Sequence, residues 1–208
     1  MNRIDYKNRE LNLKIVYNGP GLSGKTTNLQ YIYNLNSKVS RSELTTLNTE
    51  EDRTIFFDFL PVELGSVHGF TVRLHLYTVP GQVIHKATRQ VVLKGVDGVV
   101  FVADSSPDRM ADNLESLRDL EDNLRARGKD IQTIPYVLQL NKRDVGAATN
   151  RDEMIRQLQV KPDAPVHDAI ATMGMSVLET MLSAARGVLK EIKVSDLSEQ
   201  TTGAAQTE

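Results

Sequence analysis

An α/β fold, built on a mainly parallel sheet with helices on both faces, is what the sequence predicts. Three observations predict it. Stretches of strand pattern alternate along the chain with stretches of helical pattern, as βαβ units require. Two strand stretches, Gly98-Val99-Val100-Phe101-Val102-Ala103 and residues 134–140, are apolar on both faces, as central strands covered from two sides must be. A glycine-rich turn, Gly19-Pro20-Gly21-Leu22-Ser23-Gly24-Lys25-Thr26, stands between the first strand and the first helix.

In chain order, residues 11–17 alternate, with Leu11, Leu13, Ile15 and Tyr17 on one face, and the residues from Thr27 through Tyr33 read as a helix. Residues 36–54 are too polar for a core and long enough for a functional loop. Residues 54–60 are aromatic and β-branched, and residues 70–78 alternate through Phe70, Val72, Leu74 and Leu76. The turn Leu64-Gly65-Ser66-Val67-His68-Gly69 between them implies an antiparallel hairpin. Met110, Leu114, Leu117, Leu120 and Leu124 recur at helical spacing, closed by Gly128. A shorter helix covers 151–158, and a last strand 164–170. Val177, Leu178, Met181, Leu182, Ala185, Leu189 and Ile192 stripe a final helix. The expectation is a six-stranded sheet with one antiparallel edge strand in a single domain over 1–193. A polar tail over 194–208, without stripe or base, is expected to be disordered.

With 208 residues, 40% hydrophobic and 25% charged, the chain has room for one well-filled domain. A net charge of −2 gives no global basic field for nucleic acid or an anionic membrane. The absence of cysteine excludes disulfides, thiolate metal sites, palmitoylation and C-terminal prenylation. The first residues, Met1 to Tyr6, lack the apolar run of a signal peptide, and nowhere do about 18 apolar residues run together. The expected location is therefore the cytoplasm, with no direct membrane anchor and no nucleic-acid partner.

A strand, a glycine loop and a helix in that order form a phosphate-binding unit. Gly19, Gly21 and Gly24 let backbone N–H groups approach phosphate oxygens closely, with Leu22 and Ser23 adding their own amides. The following helix start, through Lys25, Thr26 and Thr27, adds unpaired N–H groups and the positive dipole end. Lys25 can reach the β- and γ-phosphates, and the Thr26 hydroxyl can ligate Mg²⁺. The bland reading is a glycine turn with no ligand.

Asn141-Lys142-Arg143-Asp144 follows the strand over 134–140, at the edge where doubly wound sheets bind ligands. The Asp144 carboxylate can accept from two guanine donors, a pair adenine lacks; such a site rejects the wrong base by about 10⁴–10⁵. Asn141 can tie the base loop to the phosphate loop, and the Lys142 stem can lie along the base. The backbone N–H of Ala171-Thr172 is a candidate third base contact. By itself the tetrapeptide is usually a solvated turn; its place after a phosphate loop and at a strand end gives it meaning.

These motifs, with Thr49-Glu50-Glu51-Asp52-Arg53-Thr54, Thr78-Val79-Pro80-Gly81-Gln82 and Ile170-Ala171-Thr172, resemble those of Ras-like small GTPases. Within that superfamily the chain is similar to the bacterial MglA group (mutual gliding protein A), polarity and motility switches. The resemblance covers about residues 4 to 193. Its most specific stretches run from Gly19 to Tyr33, from Asp52 to Pro61 and from Leu76 to Gln82. It implies a Ras-like G domain that binds GTP and GDP with Mg²⁺ and hydrolyses GTP. Gln82 is the candidate to orient water, and the Gly81 N–H to meet the γ-phosphate. Thr54 would join Thr26 at the metal, and Arg53 would act as an arginine finger supplied in cis, a role worth about 10³–10⁵ in rate. The alternatives are a solvated arginine and an exposed glutamine.

One residue departs from the general pattern. Thr78 stands where most small GTPases carry a metal-site Asp, which removes a negative charge from that site. Asp58, on the neighbouring strand of the hairpin, is the candidate replacement through water, and Asp52 a looser one. The segments over 44–54 and 79–89 would contact the γ-phosphate and relax on its loss, with the exposed parts of 55–60 and 83–91 as the surface for effectors. The resemblance further implies a monomer, a Roadblock-type, MglB-like activating protein and recruitment to a cell pole through partners. The rival readings are a P-loop kinase, which leaves Asn141–Asp144 without a task, and a GTP-holding scaffold with negligible turnover.

Overall fold

The computed structural model describes residues 3–36, 45–46, 58–79, 86–192 and 197. The chain runs β1 (Ile4–Asp5), β2 (Glu10–Asn18), α1 (Lys25–Asn36), β3 (Thr45–Thr46), β4 (Asp58–Val67) and β5 (Phe70–Thr78). It continues through α2 (Lys86–Val92), β6 (Gly98–Asp104), α3 (Met110–Arg125), β7 (Tyr136–Asn141), α4 (Arg151–Gln157), β8 (Val166–Asp168) and α5 (Val177–Lys190). The strands form an eight-stranded sheet in the order β3-β4-β5-β2-β6-β7-β8, with β1 paired to β2. Pairings from β5 across to β8 are parallel, while β1, β3 and β4 pair antiparallel.

The six expected strands are present, in the expected mainly parallel sheet. Two two-residue strands extend it, so β4 has β3 on its outer side and is not the edge. The hairpin turn is also tighter than expected. β4 continues to Val67, with a register shift between Glu63 and Ser66, and the chain reverses at His68 and Gly69 with φ of 48° and 81°. Two consecutive positive φ values match the twist of the flanking strands better than a longer loop does.

Burial explains the layering. β6 and β7 are buried at every position, because helices cover both faces. On one face Leu11, Leu13, Ile15 and Tyr17 of β2 pack with β5, α1 and α5. On the other, Val99 and Phe101 of β6 and Leu138 and Leu140 of β7 pack with Leu117, Leu120 and Leu124 of α3. The α5 stripe sits slightly off the expected one: Ala184 and Val188 are buried, whereas Leu178 is 37% exposed. No described helix is long and apolar enough to cross a membrane.

Parallel strands all point their carboxyl ends the same way, so Asn18, Asp104, Asn141 and the segment after Asp168 emerge along one edge of the sheet. The candidate functional residues collect there.

Candidate functional site

The loop after β2 is shaped by glycines that nothing larger could replace. Gly19 has φ +144°, and a Cβ on it would lie 2.2 Å from the Val102 carbonyl oxygen. Gly24 has φ +100°, and its Cβ would meet Asn141 Nδ2 at 2.2 Å. Both therefore need the left-handed side of backbone space and the missing side chain. Leu22 also takes a positive φ, 64°, and leaves its side chain 88% exposed. Ser23 is fully buried, and its carbonyl accepts from Asn141 Nδ2 at 2.7 Å.

Lys25, the first residue of α1, is only 6% exposed. Its ammonium donates to two neutral carbonyls, Gly19 O at 2.9 Å and Pro20 O at 2.6 Å. Burial lowers its pKa to about 8; Asp58 opposes that shift and Arg109 adds to it. A buried cation coordinated by neutral oxygens is a site fitted to an anion, and phosphate oxygens answer that description.

The structure joins Thr26 to Asp58 and Thr78. Thr26 Oγ1 donates to Asp58 Oδ2 at 2.6 Å, and Thr78 Oγ1 donates to the same oxygen at 3.0 Å. The Asp58 N–H in turn donates to Thr78 Oγ1 at 2.9 Å. Asp58 opens β4 and Thr78 closes β5, so the hairpin delivers a carboxylate beside the α1 hydroxyl even though β5 itself ends in Thr. Among the described residues no cluster of three His, Cys, Asp or Glu side chains forms. The hard oxygen donors Thr26 and Asp58 nonetheless fit Mg²⁺, which takes one or two protein ligands and fills its remaining positions with water and phosphate.

Asn141 ends β7 and is 3% exposed. Besides its bond to Ser23 it accepts, through Oδ1, the Ala171 N–H at 2.9 Å. The phosphate loop, the Asn141–Asp144 turn and the short helical turn Ala171–Met173 are thereby tied through one side chain. The Ala171 N–H is thus engaged by Asn141 in this structure, and Thr172 carries the other amide of that pair. The turn after Asn141 is held by Arg143, whose N–H donates to Ala169 O at 3.1 Å and whose Nη1 donates to Thr149 O at 2.6 Å. Asp144 is exposed.

The Lys142 ammonium donates to Asp104 Oδ2 at 2.7 Å. Burial alone would raise the Asp104 pKa, but Lys142 and the hydrogen bonds from Ser106 outweigh it and hold the carboxyl below its usual range. Arg109 lies 3.6 Å from Asp104 and donates to the Gly21 carbonyl at 2.7 Å, so a second charged tether reaches the phosphate loop. Sequence reasoning passed over Asp104 and Arg109. The available signal was the place of Asp104 at the carboxyl end of a central strand next to β2.

Arg53, Thr54, Gly81 and Gln82 lie outside the described residues, as does Asp52. Of the predicted set the structure brings together Gly19, Gly21, Ser23, Gly24, Lys25, Thr26, Asp58, Asn141 and Ala171. Thr27 follows in α1, half-buried. Among the described residues the histidines are dispersed: His75 pairs with Asn12 and stacks on Phe59, and His167 pairs with Ser183.

The model of the ADP-ribosylation factor family matches residues 2–194 of this chain. Among known relatives, "Mutual gliding-motility protein MglA" of Myxococcus xanthus (strain DK1622) is 53% identical over 193 residues, covering 93% of this chain and 98% of that protein.

Proposed function

The chain belongs to the ADP-ribosylation factor family and, within it, to the MglA type of Ras-like GTPase, and we propose that it is a GTP-hydrolysing switch controlling bacterial cell polarity or gliding motility. The observation that carries the reading is Asn141, whose one amide joins the phosphate loop to the base loop. A site so tied grips a nucleotide by both ends at once.

In this reading Lys25 binds the β- and γ-phosphates, and its protonation is favoured as soon as the phosphates arrive. Asp144 accepts from the guanine ring N–H and amino group, with the Thr172 N–H toward the guanine oxygen. Thr26, Asp58 and, from its loop, Thr54 are the residues that would hold Mg²⁺. When bound, that cation neutralises charge on the phosphoryl oxygens. Gln82 orients a water in line with the γ-phosphorus, Gly81 donates its N–H to the γ-phosphate, and Arg53 spreads positive charge over the bridging oxygen. Water adds to phosphorus as the bond to the β–γ bridging oxygen breaks, and GDP leaves with that electron pair.

Loss of the γ-phosphate releases the segments that contacted it, and partners read the change. The partners proposed are a Roadblock-type activating protein and effectors seated on those segments. The protein would act as a monomeric G domain over 1–193 with a polar tail, in the cytoplasm, drawn to a pole through partners. Single-turnover GTP hydrolysis, with and without a Roadblock-protein dimer, tests this. The expected result is slow turnover alone, acceleration by the dimer, and a loss of about 10³-fold or more in Arg53→Ala. Inertness in both conditions would favour the scaffold, for which Thr78 in the metal-site position speaks.

A further inference from the structure

Gln139 and Asn141 stand two residues apart on β7, so their side chains leave the same face of the sheet, toward α1. Asn141 grips the phosphate loop directly. Gln139 does so at one remove. Its amide forms a reciprocal pair with that of Asn28: Asn28 Nδ2 donates to Gln139 Oε1 at 2.8 Å, and Gln139 Nε2 donates back to Asn28 Oδ1 at 2.9 Å. Asn28 then donates twice to the Gly24 carbonyl, through Nδ2 at 2.9 Å and through its own backbone N–H at 3.0 Å. On the other side Gln139 Nε2 donates to Thr180 Oγ1 of α5 at 3.0 Å, and Thr180 Oγ1 donates to Ser176 O at 2.6 Å. Asn28, Gln139 and Thr180 are all 0% exposed.

Nothing in the hydrophobic core requires amides here. The β7 neighbour on the same face, Val137, is apolar and packs in the core with α1 and α5, and an apolar pair of similar shape carries no risk of an unpaired polar group. What amides add is direction, since a reciprocal pair has one satisfied geometry and its ends point at defined partners. One end is the Gly24 carbonyl, immediately before Lys25 and Thr26. The other is the strand that terminates in Asn141.

We infer that the Asn28–Gln139 pair is a positioning device of the nucleotide site. It sets the height of the phosphate loop and the start of α1 relative to β7, so that the phosphate-binding and base-reading groups match the length of one nucleotide. Asn28 and Gln139 are fully buried and act through Gly24 and Asn141. Thr180 extends the tie to α5, which follows the Ala171–Met173 turn. The inference rests on the guanine-nucleotide reading above.

The test measures release of a fluorescent GDP analogue and thermal unfolding on the full chain, for wild type, Asn28→Ala, Thr180→Val and the double variant Asn28→Leu/Gln139→Leu. Asn28→Ala strands Gln139; its melting temperature is expected to fall and its release to quicken by about tenfold or more, the size of one buried hydrogen bond lost. The double variant removes both amides together, so its melting temperature is expected near that of wild type while its release stays about tenfold faster. That separation is one a merely space-filling pair would not produce. A double variant with wild-type release overturns the inference. Should the double variant fail to fold, Thr180→Val decides: release about threefold faster supports the tie, and unchanged release refutes it. A wild-type protein that retains no guanine nucleotide at all sinks the switch reading instead, and is told apart by its own control arm.

Discussion

Thr26 Oγ1 and Asp58 Oδ2 are 2.6 Å apart, although 32 residues separate them in the chain. The hydroxyl that opens α1 and the carboxylate that opens β4 thus meet at the mouth of the phosphate loop. Thr78 donates to the same carboxylate oxygen and so acts as its support.

Asp58→Ala is therefore expected to raise the Mg²⁺ concentration needed for half-maximal GTP hydrolysis by about tenfold or more, the scale of a lost charge-assisted contact. Turnover measured across a Mg²⁺ titration checks this. A titration superimposable on that of the wild type would remove Asp58 from the metal site.

Lys25 gives a pH signature. Its pKa is 10.5 in an unperturbed chain and about 8 in the fold, lowered chiefly by burial. Between those values the unfolded chain keeps a proton that the folded protein has lost, so this group's contribution to stability increases as pH rises through that window. Urea unfolding of nucleotide-free wild type and Lys25→Met, compared at the two ends of the window, should show wild type gaining on the variant as pH rises. Bound GDP favours the charged lysine and should remove that gain. A gap between the two proteins that is flat with pH would contradict the account.

Asn141→Ala removes two buried hydrogen bonds at once, leaving the Ser23 carbonyl and the Ala171 N–H without their partner. Each buried group so stranded costs about 1–3 kcal/mol. The expected outcome is a lower unfolding free energy and weaker binding of GDP, read by denaturant titration and by displacement of a fluorescent nucleotide. Unchanged stability would mean that the loops are held by something else.

Local chemistry was legible in the sequence, and distant pairing was not. The phosphate loop is continuous, its glycines carry their own reason, and Leu11 to Tyr17 alternate cleanly, so loop and strand could be read together. β1 and β3 are two residues each, too short to show a period. The seven residues of α2, Lys86–Val92, carry no apolar stripe, so nothing marked a helix. Gly65 and Gly69 looked like one turn, but only the second belongs to the reversal, and Gly65 falls in the register shift of β4. Gln139 reads as part of an apolar strand because its partner Asn28 lies 111 residues away. The ion pair between Asp104 and Lys142 escaped for the same reason, since the two meet only because β6 and β7 are neighbours. The tie from Asn141 to the phosphate loop is legible because a strand end beside such a loop leaves few other roles.

Isothermal titration of the nucleotide-free protein with GDP and with ADP, both in Mg²⁺, tests the central claim most directly. A base pocket reading two guanine donors through Asp144 predicts GDP tighter than ADP by about 10³-fold or more, within the limit such sites reach. Equal heats of binding for the two nucleotides, or none for either, would contradict it.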